Sequence, residues 1–165
     1  MKEIQSELLQ VVSFKLGTEE FGVDILKVQE INRMSEITRV PGAPDFVEGI
    51  INQRGKIITI IDLRKRLGQE QKEYGKETRI IVDGKGVGFI VDSVSRISRI
   101  PSDTIEPPPP VITCIDSEYI KGVGKLEDRL LILLDFEKIL NFNELNELKE
   151  IIEQKEMENV KEVNS

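Results

Sequence analysis

The sequence predicts an all-β protein, with short helices and one C-terminal helix, in which two similar barrels arise by internal duplication. Three observations point to this class. Residues 46–67, FVEGIINQRGKIITIIDLRKRL, recur in altered form as residues 119–140, YIKGVGKLEDRLLILLDFEKIL. Aligned without a gap, at an offset of 73 (122 minus 49), the copies keep Gly49/Gly122, Asp62/Asp135, Lys65/Lys138 and Leu67/Leu140, and pair Phe46 with Tyr119. A shorter echo precedes each copy: FGVDILKVQEI (21–31) matches VGFIVDSVSRI (87–97), keeping Gly22/Gly88, Val28/Val94 and Ile31/Ile97. Between turn residues, apolar side chains come in short runs, many alternating with polar ones, which is the pattern of buried and half-buried strands.

Taken in order, residues 1–10 are polar and expected to fray. Val12, Phe14 and Leu16 alternate with Ser13 and Lys15, Gly17-Thr18-Glu19-Glu20 supplies a turn, and Phe21, Val23 and Ile25 alternate again, giving a hairpin. From Leu26 the period changes, Val28 and Ile31 being three apart, which reads as one helical turn. Ile37 to Val40 is a short strand stopped by Pro41, and PGAPD (41–45) is a link. The repeated block then gives strands at 47–51 and 57–61 around the turn Asn52-Gln53-Arg54-Gly55. Asp62 caps a short helix, Leu63–Leu67, that stops at Gly68. The polar stretch 69–77 is the expected boundary between copies.

The second copy opens with a strand at 79–82, the turn-forming pair Asp83-Gly84, and strands at 87–91 and 94–100, stopped by Pro101. Its linker is longer, and Pro107 to Pro110 impose an extended polyproline shape, either a stiff surface spacer or a contact surface. After the second block, Asn141 or Asn143 can cap a final helix with Leu145, Leu148 and Ile152 on one face. Strands this short, with turns this close, fold as SH3-like β-barrels of ~60–70 residues, which closes off sheet edges. The expected division is 12–72 for the first barrel, 73–142 for the second, and 143–165 for the C-terminal amphipathic helix and acidic tail. Two related barrels offer two similar but unequal faces, which suits a connector holding more than one partner.

Composition narrows the chemistry. There is no His and no Trp, aromatics are 5%, and the net charge is −7. That balance argues against a nucleic-acid surface. Without His, the commonest general base and transition-metal ligand is missing. The single Cys114 has no basic neighbour to lower its pKa, allows no intrachain disulfide and suits a reducing, cytoplasmic setting. The glycines around Lys85 belong to a hairpin and a strand, the wrong context for a phosphate loop. No catalytic group, cofactor or metal is expected. Asp62 and Asp135 read as matched helix caps, not as a catalytic pair.

The segments FGVDILKVQEI, VPGAPDFVEGIINQRGKIITIIDLRKRLG (40–68), VGFIVDSVSRI and YIKGVGKLEDRLLILLDFEKIL together resemble the CheW family of chemotaxis coupling proteins, over about residues 12–142. The resemblance implies two SH3-like barrels and a non-enzymatic adaptor. Such an adaptor joins the cytoplasmic tip of methyl-accepting chemoreceptors to the regulatory domain of a CheA-type histidine kinase. It also implies a protein monomeric when free, not itself membrane-binding, and recruited from the cytoplasm to receptor arrays at the inner membrane. Carried over position by position, Arg54 with Gly49 and Gly55 resembles the family's receptor-side turn. Val28 and Glu30 match partner-binding positions, and the loop ending at Val111 an outward contact. Gly49, paired with Gly122, also reads as a backbone constraint, and Glu30 faces a reversed charge in its counterpart Arg96. A scaffold for a non-chemotactic histidine kinase would carry the same body and is the alternative reading.

Overall fold

The computed structural model describes residues 7–70, 73–108 and 117–140, together with residues 150 and 153. Its strands are β1 (Leu8–Leu16), β2 (Glu19–Asp24), β3 (Glu30–Arg33), β4 (Val47–Gln53), β5 (Lys56–Asp62), β6 (Arg79–Val82), β7 (Val87–Val91), β8 (Ser93–Pro101), β9 (Ile120–Leu126) and β10 (Arg129–Leu134). Short helices α1 (Leu63–Arg66) and α2 (Phe136–Ile139) follow β5 and β10. The matched caps are as expected, for the Asp62 carboxylate accepts from the Arg64 N–H and that of Asp135 from the Glu137 N–H. Of the expected C-terminal helix only Glu150 and Glu153 are described, both helical, and the rest lies outside the described residues.

The strands form two five-stranded sheets, ordered β8-β1-β2-β10-β9 and β3-β6-β7-β5-β4. Each rolls into a barrel whose closing bridge lies beyond the last residue of its edge strand. Past β3, Thr38 exchanges N–H···O bonds of 2.9 and 2.8 Å with Ile50 of β4. Past β8, Glu106 exchanges bonds of 3.0 and 2.7 Å with Val123 of β9. Glycine permits both closures. A Cβ on Gly49, whose φ is +150°, would overlap the Thr38 carbonyl oxygen, and one on Gly122 would lie 2.5 Å from an Ile105 methyl.

Sheet membership departs from the division at residues 72 and 73. Strands β3 to β7 build one barrel from a continuous segment, whereas the other is split, drawing β1 and β2 from one side of that segment and β8 to β10 from the other. The first hairpin of each copy has therefore crossed into the other copy's barrel. The joints are parallel pairings in matching register: Phe21 and Gly22 beside Ile132 and Leu133, and Val87 and Gly88 beside Thr59 and Ile60. Parallel neighbours cannot be joined by a tight turn and need a longer connection, which the exchange supplies.

Smaller expectations shift as well. β1 begins at Leu8, because Leu8 and Leu9 pair with Pro101 and Ile100. The helical turn after β2 is confined to Ile25–Lys27, and Ile31 belongs to β3. The strand expected at 37–40 shrinks to the bridge at Thr38.

Three apolar clusters follow from this geometry. Val11, Ile100, Leu131 and Leu133 fill the split barrel, and Ile51, Ile58, Ile60, Ile80, Val82 and Ile90 fill the continuous one. The largest cluster lies between the barrels and takes Phe14, Phe21, Phe136 and Val12 from one, Phe89, Ile61, Ile81 and Leu63 from the other. Phe89 stacks on Phe136 at 4.2 Å between centroids, and Phe14 lies 6.0 Å from Phe21. β7 is buried along its whole length because it faces one core on each side. Near the join, the Arg66 guanidinium lies 4.4 Å from the Phe46 ring and 5.5 Å from its repeat partner Tyr119, and donates to the Ile139 carbonyl at 2.9 Å.

Gly88 tests the barrel packing. A Cβ there would lie 2.7 Å from an Ile80 methyl and 2.9 Å from one of Ile60, whereas a Cβ on Gly84 would meet open space. Gly88→Ala is expected to lower unfolding stability by about 1–3 kcal/mol through overpacking. Gly84→Ala should stay within about 0.5 kcal/mol of the parent in urea titrations.

Candidate functional site

The turn between β4 and β5 has two residues, Arg54 and Gly55, with φ of 52° and 85°. Both signs are positive, as in the tight hairpin turns that favour Asn or Gly at these places. Arg54 is the only non-glycine with positive φ among the described residues. For an L-residue this costs about 1–2 kcal/mol. Asn52 offsets part of the strain, its side-chain oxygen accepting the Gly55 N–H at 3.0 Å.

This backbone carries the Arg54 side chain across to β3, where its Nη2 donates to Glu30 Oε2 at 2.6 Å. Arg54 remains 74% exposed and Glu30 32%, so the pair is a surface feature and adds little to stability. Glu30 is fixed from behind, its residue pairing with Val82 of β6. Together with Gln29, Gln53, Lys56, Ile58 and Val82 the two line a shallow pocket of about 260 Å3. Two positions singled out in separate stretches of sequence, Glu30 and Arg54, are thus joined in one charged rim, with Gly55 exposed beside them.

The remaining candidates lie elsewhere. Val28 is partly buried against the central cluster at the end of the Ile25–Lys27 turn. Gly49 is buried at the barrel closure, where the backbone constraint expected from its pairing with Gly122 is met. Val111 and Cys114 lie outside the described residues.

The equivalent surface of the split barrel has the same strand and turn in place, but a turn without positive φ and different charges. The β9–β10 turn is Glu127-Asp128, and Arg96 of β8 stands where Glu30 stands in β3. Beside each lies an isoleucine that the repeat keeps and the fold exposes: Ile31, 41% exposed, and Ile97, 59% exposed. They pair with Ile81 and Val12, both buried in the central cluster, so each carries that apolar layer out to solvent. The echo Ile31/Ile97 was visible in the sequence, but its exposure was not. Among the described residues no group of His, Cys, Asp and Glu could hold a metal ion.

A family model described as a CheW-like domain matches residues 10–144. The chain belongs to the CheW-like family. It is 43% identical over 135 residues to the chemotaxis protein CheW of Klebsiella aerogenes, covering 80% of this chain and 81% of that one. The CheW of Treponema pallidum is 38% identical over 152 residues, covering 88% and 89%. Among solved structures, the scaffolding protein TtCheW of Thermoanaerobacter tengcongensis superposes with a TM-score of 0.78 at 40% identity, covering 84% of this chain and 96% of that one. A CheW-family chemotaxis adaptor with two β-barrels accounts for the fold and for the resemblance. No helix among the described residues is long and apolar enough to cross a membrane.

The strained turn gives a direct test of what Arg54 is for. Arg54→Gly removes the side chain and the strain together, and its stability is expected to stay within about 1 kcal/mol of the parent. Arg54→Val, β-branched in a left-handed conformation, should lose about 1–2 kcal/mol. Thermal and urea unfolding of the two variants measure both.

Proposed function

We propose that this CheW-family chain is a non-enzymatic cytoplasmic adaptor that couples transmembrane chemoreceptors to the regulatory domain of a CheA-type histidine kinase. One observation supports the reading above others. Two surfaces at equivalent places of the repeat, one on each barrel, exchange the positions of their charges: Glu30 with Arg54 on the first, Arg96 with the Glu127-Asp128 turn on the second. Their shared place in the repeat lets each barrel offer a face, and the exchanged charges decide which partner takes which face, since like charges across an interface are penalised.

In this reading the receptor tip, a helical hairpin, lays an apolar stripe along the exposed isoleucine edge where the barrels meet, with Arg54 at the rim. The kinase's own barrels pack against a barrel end, an interface of about 800 Å2 per partner. The adaptor adds no chemistry; it holds the two at a fixed distance through a body whose barrels share one core.

Co-elution from a sizing column tests this, using the protein with the organism's CheA-type regulatory domain, with and without a receptor-tip fragment. A kinase complex that grows on adding receptor is the expected result. No complex with either at tens of micromolar, from folded protein, would leave the fold standing and the coupling role refuted. Arg54→Gly, folded, should weaken the receptor-dependent step at least several-fold and leave kinase binding near the parent value. Equal loss of both would make Arg54 a structural residue.

A further inference from the structure

The chain passes between the barrels twice, and each passage is held by a three-part polar clasp. At the first, residues 25–29 lead from β2 of the split barrel to β3 of the continuous one. Here Lys27 Nζ lies 2.8 Å from Glu137 Oε1 on α2, and Lys85, in the β6–β7 turn of the continuous barrel, lies 3.8 Å from the same oxygen. At the second, Asp92 alone links β7 to β8. It meets Arg64 of α1 at 3.3 Å and accepts the N–H of Gly17, in the β1–β2 turn of the split barrel, at 2.6 Å.

The parts correspond one for one: a side chain on the short helix, a residue of the crossing, and the hairpin turn of the opposite barrel. Arg64 and Glu137 are the same position of the repeat with opposite charge. Their surroundings differ more. The Arg64 side chain is 4% exposed and Asp92 25%. The Asp62 carboxylate lies 3.4 Å from the guanidinium and the Tyr74 ring 5.1 Å, with the Tyr74 hydroxyl donating to Asp62 at 2.9 Å. Burial first, and the Asp62 charge second, push the Tyr74 pKa upward, so its hydroxyl stays a donor. In the other clasp Lys27 is 47% exposed, Glu137 45% and Lys85 63%. Salt in solution therefore screens the Lys27–Glu137–Lys85 set far more than the Arg64–Asp92 pair.

We propose that the two crossings are unequal hinges: Asp92 is a fixed pivot, and the Lys27–Glu137–Lys85 triad is a latch that ionic screening releases. The apolar layer between the barrels stays in place; what a release frees is the 25–29 segment that crosses it. The latch sets how firmly the 25–29 segment, and Glu30 behind it, is held against the rest of the body.

Hydrogen exchange of the intact free protein, resolved by residue, reads this directly and does not depend on the coupling role. Two amides report on the latch, Val28 bonded to the Ile25 carbonyl at 3.1 Å and Gln29 bonded to that of Val82 at 2.8 Å. Two report on the pivot, Gly17 bonded to Asp92 at 2.6 Å and Asp92 bonded to the Lys15 carbonyl at 3.0 Å. Between about 0.05 M and about 0.5 M KCl, exchange at Val28 and Gln29 is expected to quicken roughly two- to five-fold, with Gly17 and Asp92 unchanged. Lys27→Gln should reproduce the quickening at low salt. An equal response of all four amides, no response of any, or unchanged Val28 and Gln29 rates in Lys27→Gln at low salt overturns the proposal. The salt series on the parent needs no variant, so a folding defect in one cannot leave the question open.

Discussion

Everything in this molecule leans on the apolar layer between its barrels. Neither small barrel encloses enough side chains to match that layer, in which four phenylalanines and the inner faces of β1, β2, β6 and β7 meet. Removing such surface from water is the dominant favourable contribution to folding. Because the shared layer is larger than either barrel interior, the barrels form one body. The outer surfaces, including the Glu30–Arg54 rim, are consequently held in a fixed relation to each other, as suits an adaptor.

The repeat shows which positions a barrel of this kind needs and which it leaves open. Glycines that close the barrels (Gly49, Gly122) or let a neighbouring strand's side chains approach (Gly22, Gly88) are kept in both copies, as are the capping aspartates. The charged surface positions are not kept. Glu30 answers to Arg96, Arg54-Gly55 to Glu127-Asp128, and Arg64 to Glu137. Equivalent positions carrying unlike charges are how a duplicated body acquires two distinguishable sides.

This division explains what the sequence made legible. Strand alternation, the Asp62 and Asp135 caps and the constraint at Gly49 are local or repeated, and all could be read from the residues. The exchange of hairpins could not. A self-contained copy and an exchanged one place equivalent residues in the same contacts. Gly22 against Leu131 and Leu133 looks in sequence like Gly88 against Ile58 and Ile60. The pairing of Glu30 with Arg54 was hidden for a related reason, since nothing in the spacing of the two residues shows that β3 and the β4–β5 turn converge. The exposure of Ile31 and Ile97 was hidden too, because an apolar residue kept in both copies reads as core unless its strand is known to lie at an edge.

The continuous barrel, inserted whole between β2 and β8, also orders events during synthesis. A chain growing from its N-terminus presents the β1–β2 hairpin first, with Phe14 and Phe21 bare, while its neighbours β8 and β10 are still unmade. The strands β3 to β7 are all present once Val91 has been added. The later-starting barrel is therefore the first that can be completed on the ribosome, and its Ile81 and Phe89 face offers the waiting hairpin a surface to rest on until Leu134 arrives.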